Sequence, residues 1–254
     1  MKVIKKIYRI LVPTKLRTKL AKSRSRRATN HIYQDILEYY KDGENNADDF
    51  SQEIDFMKKR GGIEIFPYEY TTKYDMEFKV NFDNEKKMKW VNHKGKRLYF
   101  PGENSISDIK IMYNALKIEQ DLLSLHRYFT DYFEFIPGDV MLDVGAAEGF
   151  LSLEIVEKAS NVFIFECEEK WAEALKATFE PWKEKVKIIH KLVSQENSEK
   201  EVSLDKYLSE IDETMGIFLK IDVEGSERRV LEGAIGLLGR NNIKVSCCTY
   251  HRMD

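Results

Sequence analysis

From Asp139 onward, short runs rich in β-branched and aromatic residues alternate with longer amphipathic stretches, and this alternation limits the possible folds more than any other feature of the chain. Consecutive strand–helix–strand units bury both faces of a mainly parallel sheet, and right-handed crossovers wind it in two directions. The pattern predicts strands at Val140–Val144, Val162–Glu166, Val186–Val193, Ile217–Val223 and Ile243–Thr249. Helices are predicted between them at Gly149–Lys158, Glu169–Phe179 and Ser226–Leu238. The last carries Val230, Ala234, Leu237 and Leu238 on one stripe and stops at Gly239. The expected fold is therefore α/β, a doubly wound, mainly parallel sheet.

The first half reads differently. Residues 1–27 hold 11 Lys or Arg and no acid, with Ile4, Ile7, Tyr8 and Leu11 at helical spacing. Such an arm reads either as an amphipathic helix on an anionic membrane surface, or as a frayed terminal arm or a helix packing on its own protein. Helices are predicted at His31–Tyr40 and Asp48–Lys59, with Gly61-Gly62 as a stop, and a third at Ile109–Tyr132. Between them Glu77–Phe82, Lys89–Asn92 and Arg97–Phe100 form a meander joined by turns at Asp83-Asn84-Glu85 and His93-Lys94-Gly95, too small to stand alone. The expected organisation is a basic arm at 1–30, an accessory α+β region at 31–117 and a nucleotide-binding domain at 118–254.

Charge and cysteine usage exclude several classes. Without the arm, the rest of the chain has 30 basic against 43 acidic groups, which repels a phosphate backbone, so no nucleic-acid partner is expected. No apolar run is long enough to span a bilayer and no secretory leader is recognisable, so a cytoplasmic location is expected, with peripheral membrane contact through residues 1–27 as the exception. Cys167, Cys247 and Cys248 lack metal-site spacing and read as buried, reduced thiols in strands.

In an open α/β sheet, ligands bind beyond the carboxyl ends of the strands, near the point where strand order reverses. The first such end is Asp143-Val144-Gly145-Ala146-Ala147-Glu148-Gly149, where glycines permit a sharp turn and helix-start amides face a ligand. Counted from Gly145, Ala147 and Phe150 occupy the second and third glycine positions of a dinucleotide fingerprint. Glu148 would also repel a pyrophosphate, whereas S-adenosylmethionine has no phosphate and carries a sulfonium and an ammonium. The second end, Glu166, follows Asp143 by 23 residues, close to the roughly 20-residue offset of a ribose-binding acid. Asp143 and Glu166 are expected to project into one shared crevice, with Gly145, Ala146, Gly149 and Cys167 around the ligand. The third end, Leu192-Val193-Ser194, is where an adenine would rest. At the fourth, Lys220, Asp222 and Glu224 fall on one face by strand alternation, which is costly unless they line a cleft or Lys220 pairs with an acid. His251 lies just past the fifth strand. Two carboxylates without histidine are slim grounds for a cation at Asp222 and Glu224, so no metal is expected.

These motifs together resemble the FkbM-type family of S-adenosylmethionine-dependent methyltransferases, within the class I Rossmann-like group. The matching stretches are DVGAAEG at 143–149, FECEEKW at 165–171, LKIDVEGSERRVLEGA at 219–234 and CTYHR at 248–252. KRLYFP at 96–101 and EQDLLSLHRYF at 119–129 are similar to the lead-in of one branch. The resemblance implies that Asp143, Gly145, Gly149 and Glu166 bind S-adenosylmethionine and that Asp222 and Glu224 face the acceptor, a saccharide or secondary-metabolite hydroxyl. Candidate bases are Asp222, Glu224 and His251, with Asp222 preferred. Class I sheets usually add two more strands, so an exposed edge at the fifth strand is expected here, with activity of the chain as given in doubt. Two rival functions are an NAD-dependent oxidoreductase, disfavoured by the missing glycines, and a non-catalytic methyltransferase-like module that recruits a partner through the arm.

Overall fold

The structure is a computed structural model that describes residues 29–41, 47–75 and 77–250. The chain divides into two compact units at Asp75. The basic arm and His251 lie outside the described residues. The first unit contains helix α1 (residues 29–39), a 3-10 turn at Ala47–Phe50, helix α2 (Ser51–Arg60) and a second 3-10 turn at Glu69–Tyr74. Gly61 ends α2 in the left-handed conformation (φ 72°), the stop anticipated from Gly61-Gly62. Arg60 donates to both carboxylate oxygens of Asp75 at 2.9 and 3.1 Å.

The second unit opens with the antiparallel meander β1 (Val80–Asp83), β2 (Met88–His93) and β3 (Lys96–Phe100). Asp83 accepts the amides of Glu85 and Lys86 to make the first turn, and Asn92 accepts the Gly95 amide in the second. The meander therefore belongs to the same unit as the large sheet, so the boundary falls at residue 75 and not near 117.

Helix α3 (Ile106–Glu119) begins with a Ser105–Asp108 capping box and ends thirteen residues before the predicted Tyr132. Three side chains explain the early stop. Gln120 accepts the Tyr128 amide, Asp121 that of Leu123 and Ser124 that of His126, taking backbone donors that a helix would use. The irregular segment is then anchored by rings: Phe129 and Phe133 lie 4.9 and 5.3 Å from Phe218 in edge or tilted contact.

The main sheet contains β4 (Val140–Val144), β5 (Val162–Phe165), β6 (Val186–Ile189), β9 (Ile217–Ile221) and β10 (Ile243–Cys247), in the order β10-β9-β4-β5-β6. All four pairings are parallel, as expected. Strand alternation divides the core in two. Met141, Ile164 and Phe218 face helices α3, α4 (Phe150–Ile155) and α5 (Glu169–Phe179), whereas Leu142, Phe163 and Leu219 face α6 (Glu227–Glu232) and α7 (Ile235–Leu238). The meander adds to the first face, where Leu98 and Phe100 are fully buried and α5 supplies the Thr178 hydroxyl that accepts the Tyr99 amide. β10 pairs only with β9 among the described residues and is half-buried throughout, the anticipated edge.

Two predicted elements are broken for local reasons. The strand expected over Val186–Val193 stops at Ile189, and β7 (Leu192–Val193) pairs instead with β8 (Glu201–Val202). The helix expected over Ser226–Leu238 divides at Gly233, where a Cβ would sit 2.0 Å from the Ser194 carbonyl oxygen. Asp205 then caps the second piece by accepting the amides of Gly236 and Leu237.

A buried polar knot ties the meander to α4. His93 places Nδ1 2.9 Å from the Tyr113 hydroxyl and Nε2 2.7 Å from Glu154, to which Lys94 also donates. Burial opposes ionisation of Glu154, but His93 and Lys94 outweigh it and hold its pKa at about 2, below the ordinary 4.5. A depressed folded-state value stabilises the fold above the unfolded pKa and is lost as pH falls from 4.5 toward 2. Glu154→Gln is therefore expected to flatten that part of the acid-unfolding profile, removing about 2 kcal/mol once solvent around Lys94 is allowed for. Urea titrations of both proteins at pH 3 and pH 6 check it, and parallel losses in the two would contradict it.

Candidate functional site

Strand order reverses at β4, and a cleft of about 650 Å³ opens beyond the carboxyl ends of β4, β5 and β9. Its volume suits a small-molecule ligand. The floor is the loop that leaves β4. Gly145 takes φ 74°, and a Cβ there would lie 1.8 Å from the carbonyl oxygen of Asp222, so only glycine lets this loop touch the exit of β9. Ala147 also has a positive φ, 47°, which marks strain in the turn. Gly149 caps α4 at φ 78°, pressed against the Phe179 ring.

Glu166 sits at the end of β5 and faces the cleft. One carboxylate oxygen accepts the Ala147 amide at 2.8 Å and the other accepts the Glu168 amide at 2.7 Å. It thereby ties the β4 loop to the β5 loop, and each oxygen retains a further lone pair. Trp171, Leu192 and Val193 supply an apolar wall beside it. Cys167 also lines the cleft; because β5 ends at Phe165, this thiol is exposed and not buried as the sequence suggested. Cys248 is buried and Cys247 half-buried, both without a disulfide.

Asp143 departs from expectation. Parallel register sets it beside Lys220, and the two form a fully buried ion pair at 3.2 Å. The second Asp143 oxygen accepts from Ser152 at 2.7 Å, and Lys220 donates to the Gly145 carbonyl at 2.6 Å. Burial opposes the Lys220 charge, but Asp143 and Asp222 outweigh it and raise its pKa. Asp143 and Lys220 therefore lie beneath the loop and brace it without lining the cleft, so the crevice is not shared by Asp143 and Glu166. Ser194 is likewise absent from the cleft wall: it is fully buried, hydrogen-bonded to Glu201 and packed on Gly233. Ala146 is buried behind the loop.

Asp222 and Glu224 do line the cleft. Glu224 has φ 54° in a tight turn whose Val223 and Gly225 amides are accepted by Glu227. Asp222 accepts a 2.7 Å hydrogen bond from Tyr128, on the irregular segment after α3. Burial first, then the Asp222 charge, raises the Tyr128 pKa and keeps it a donor. Of two further acids, one lines the cleft and the other stands within electrostatic range of Asp222. Glu148 lines the cleft and is 7% exposed, and burial pushes its pKa up to about 7. Glu119, at the end of α3, is raised in the same direction by burial. Tyr128 and Glu119 escaped the sequence reading because both were placed on a long helix; only their presence in the lead-in motif pointed at them. Among the described residues no metal-binding cluster of histidine, cysteine or acids occurs.

The C-terminal part of this cleft has a sequence match. Residues 190–253 match the model of the methyltransferase FkbM domain family. The matched stretch carries Leu192, Val193, Asp222 and Glu224 of the cleft, while the β4 loop and Glu166 lie ahead of it. The methyltransferase FkbM of Methylobacillus flagellatus KT is similar in structure at 20% identity and TM-score 0.41, over 49% of this chain and 36% of that one. The aligned region thus spans about a third of that relative's length. An rRNA methylase of Streptococcus thermophilus aligns at 15% identity and TM-score 0.33, over 46% and 65% of the two chains. No curated protein matches the chain.

Proposed function

We propose that this chain binds S-adenosylmethionine in the cleft and methylates a hydroxyl of a saccharide or secondary metabolite. The observation that carries the reading is Glu166: a carboxylate held by amides from two loops, facing a cleft at the switch point, beside an apolar wall. Such an acid suits a ribose diol. The remaining donor set fits the same ligand. Glu148, Asp222 and Glu224 favour a cationic amino-acid end and disfavour a pyrophosphate, and Leu192, Val193 and Trp171 suit an adenine. When bound, S-adenosylmethionine supplies an electrophilic methyl carbon on a positively charged sulfur.

The protein's part is to exclude water, orient the acceptor and receive its proton. Asp222 is the base in this reading, because Tyr128 fixes its carboxylate in the cleft. Glu224 shares that rim. The hydroxyl acceptor rests on the family resemblance, as does the small-molecule or glycan class of partner. No described helix is long and apolar enough to cross a membrane, and contact of residues 1–27 with a membrane surface stays part of the proposal.

The test is thermal unfolding with S-adenosylmethionine, S-adenosylhomocysteine or NAD at 1 mM. A ligand at 100 times its Kd adds about 2.7 kcal/mol, which raises Tm by several degrees for a unit of this size. The first two ligands are expected to do so and NAD is not; the reverse order would favour the oxidoreductase. Cofactor binding without transfer of a labelled methyl group into a cell extract would favour the non-catalytic module.

A further inference from the structure

Glu148 stands out among the acids of the cleft. Its neighbours are committed: Glu166 to two backbone amides, Asp222 to Tyr128. Glu148 is more than nine-tenths buried and lines the cleft, yet among the described residues its carboxyl makes no hydrogen bond or ion pair with another residue. Its backbone is held in the turn between Ala147 (φ 47°) and Gly149 (φ 78°), which sets the side chain at the cleft. A buried acid without an ionic partner favours its neutral form until a cation comes within reach.

Resting on the cofactor reading above, we propose that Glu148 is the receptor for the α-ammonium of the ligand's amino-acid end, and that binding expels a proton from this carboxyl. The balance is a neutral Glu148 carboxylic acid plus a ligand ammonium giving a carboxylate–ammonium hydrogen-bonded pair and one proton released to solvent. The groups facing Glu148 agree with this. Burial favours the neutral acid, Asp143 beneath the loop and Glu119 from α3 reinforce it, and Lys220 from β9 opposes them. Lys220 is already engaged by Asp143 and the Gly145 carbonyl, so it does not serve as the missing partner. A positive charge arriving in the cleft tips the balance toward the carboxylate.

Linkage fixes the sign. An acid titrating near 7 in the free protein and ionised in the complex makes affinity rise with pH, by about tenfold between pH 5.5 and 7. Over that range the ligand's α-ammonium stays charged, because the carboxylate beside it holds its pKa above that of a chain terminus.

The experiment is titration calorimetry of the full chain with S-adenosylhomocysteine and with 5′-methylthioadenosine, which lacks the amino-acid end. Each is run at pH 5.5 and 7 and, at pH 6.5, in two buffers of different ionisation enthalpy. S-adenosylhomocysteine is expected to gain about tenfold in affinity and to release roughly three-quarters of a proton at pH 6.5, and methylthioadenosine to do neither. Glu148→Gln is expected to abolish the pH dependence for S-adenosylhomocysteine. The wild-type buffer comparison needs no variant, so a misfolded Glu148→Gln leaves the test intact. Tight, pH-independent binding of S-adenosylhomocysteine, or the same linkage in Glu148→Gln, overturns the role of Glu148 while keeping the cofactor reading. Failure of both nucleosides to bind at any pH overturns the cofactor reading and this inference with it.

Discussion

Lys220→Met is expected to destabilise the second unit by about 3–5 kcal/mol, the range for removing one member of a buried ion pair. Methionine matches the length of the lysine stem, so packing changes little. What changes is charge: Asp143, fully buried beneath the β4 loop, loses its only cationic partner among the described residues, and the Gly145 carbonyl loses its donor. The double variant Asp143→Asn/Lys220→Met removes the stranded charge and is expected to recover most of the loss, because a neutral pair in a low-dielectric site can come close to an ionic one. Urea unfolding of the wild type, both single variants and the double measures the coupling directly. A Lys220→Met protein of unchanged stability would contradict the bracing role of the pair.

Glu166→Ala is expected to weaken S-adenosylmethionine binding by at least roughly 100-fold, since hydrogen bonds to a charged acceptor contribute about 1.5–3 kcal/mol each. Part of the loss arises in the free protein, where the Ala147 and Glu168 amides are left without their shared acceptor. Glu166→Gln separates the two contributions, because the amide oxygen can still accept one backbone hydrogen bond. Calorimetry should rank the affinities wild type, Glu166→Gln, Glu166→Ala, with a smaller spread in melting temperature than in affinity. Affinity unchanged in Glu166→Ala would remove the basis of the cofactor assignment.

The elements set by strong periodicity were readable residue for residue: Val140–Val144 and Glu169–Phe179 occur as the pattern predicts. Elements ended by particular side chains were not. Nothing in the apolar spacing of residues 109–132 reveals that Gln120, Asp121 and Ser124 each take a backbone amide, and this is why Tyr128 was missed. The same limit applies to the acids. Alternation correctly placed Lys220 and Asp222 on one face, and the strand end separated their fates: Asp222, just past β9, reaches the cleft, while Lys220, still inside the strand, meets Asp143. Asp143 was misjudged because a count along one strand does not show that a cation stands opposite on the next.

The segment between α3 and β4 is fastened at two depths, by the Phe129 and Phe133 rings on Phe218 and by Tyr128 on Asp222, whereas Leu122, Leu123 and Leu125 project outward at 77%, 69% and 91% exposure. Mutational tolerance should therefore be graded along a short stretch of chain. Replacements at the three leucines cost the fold little, while replacements six residues on disturb at once the packing on Phe218 and the hydrogen bond that holds Asp222 in the cleft.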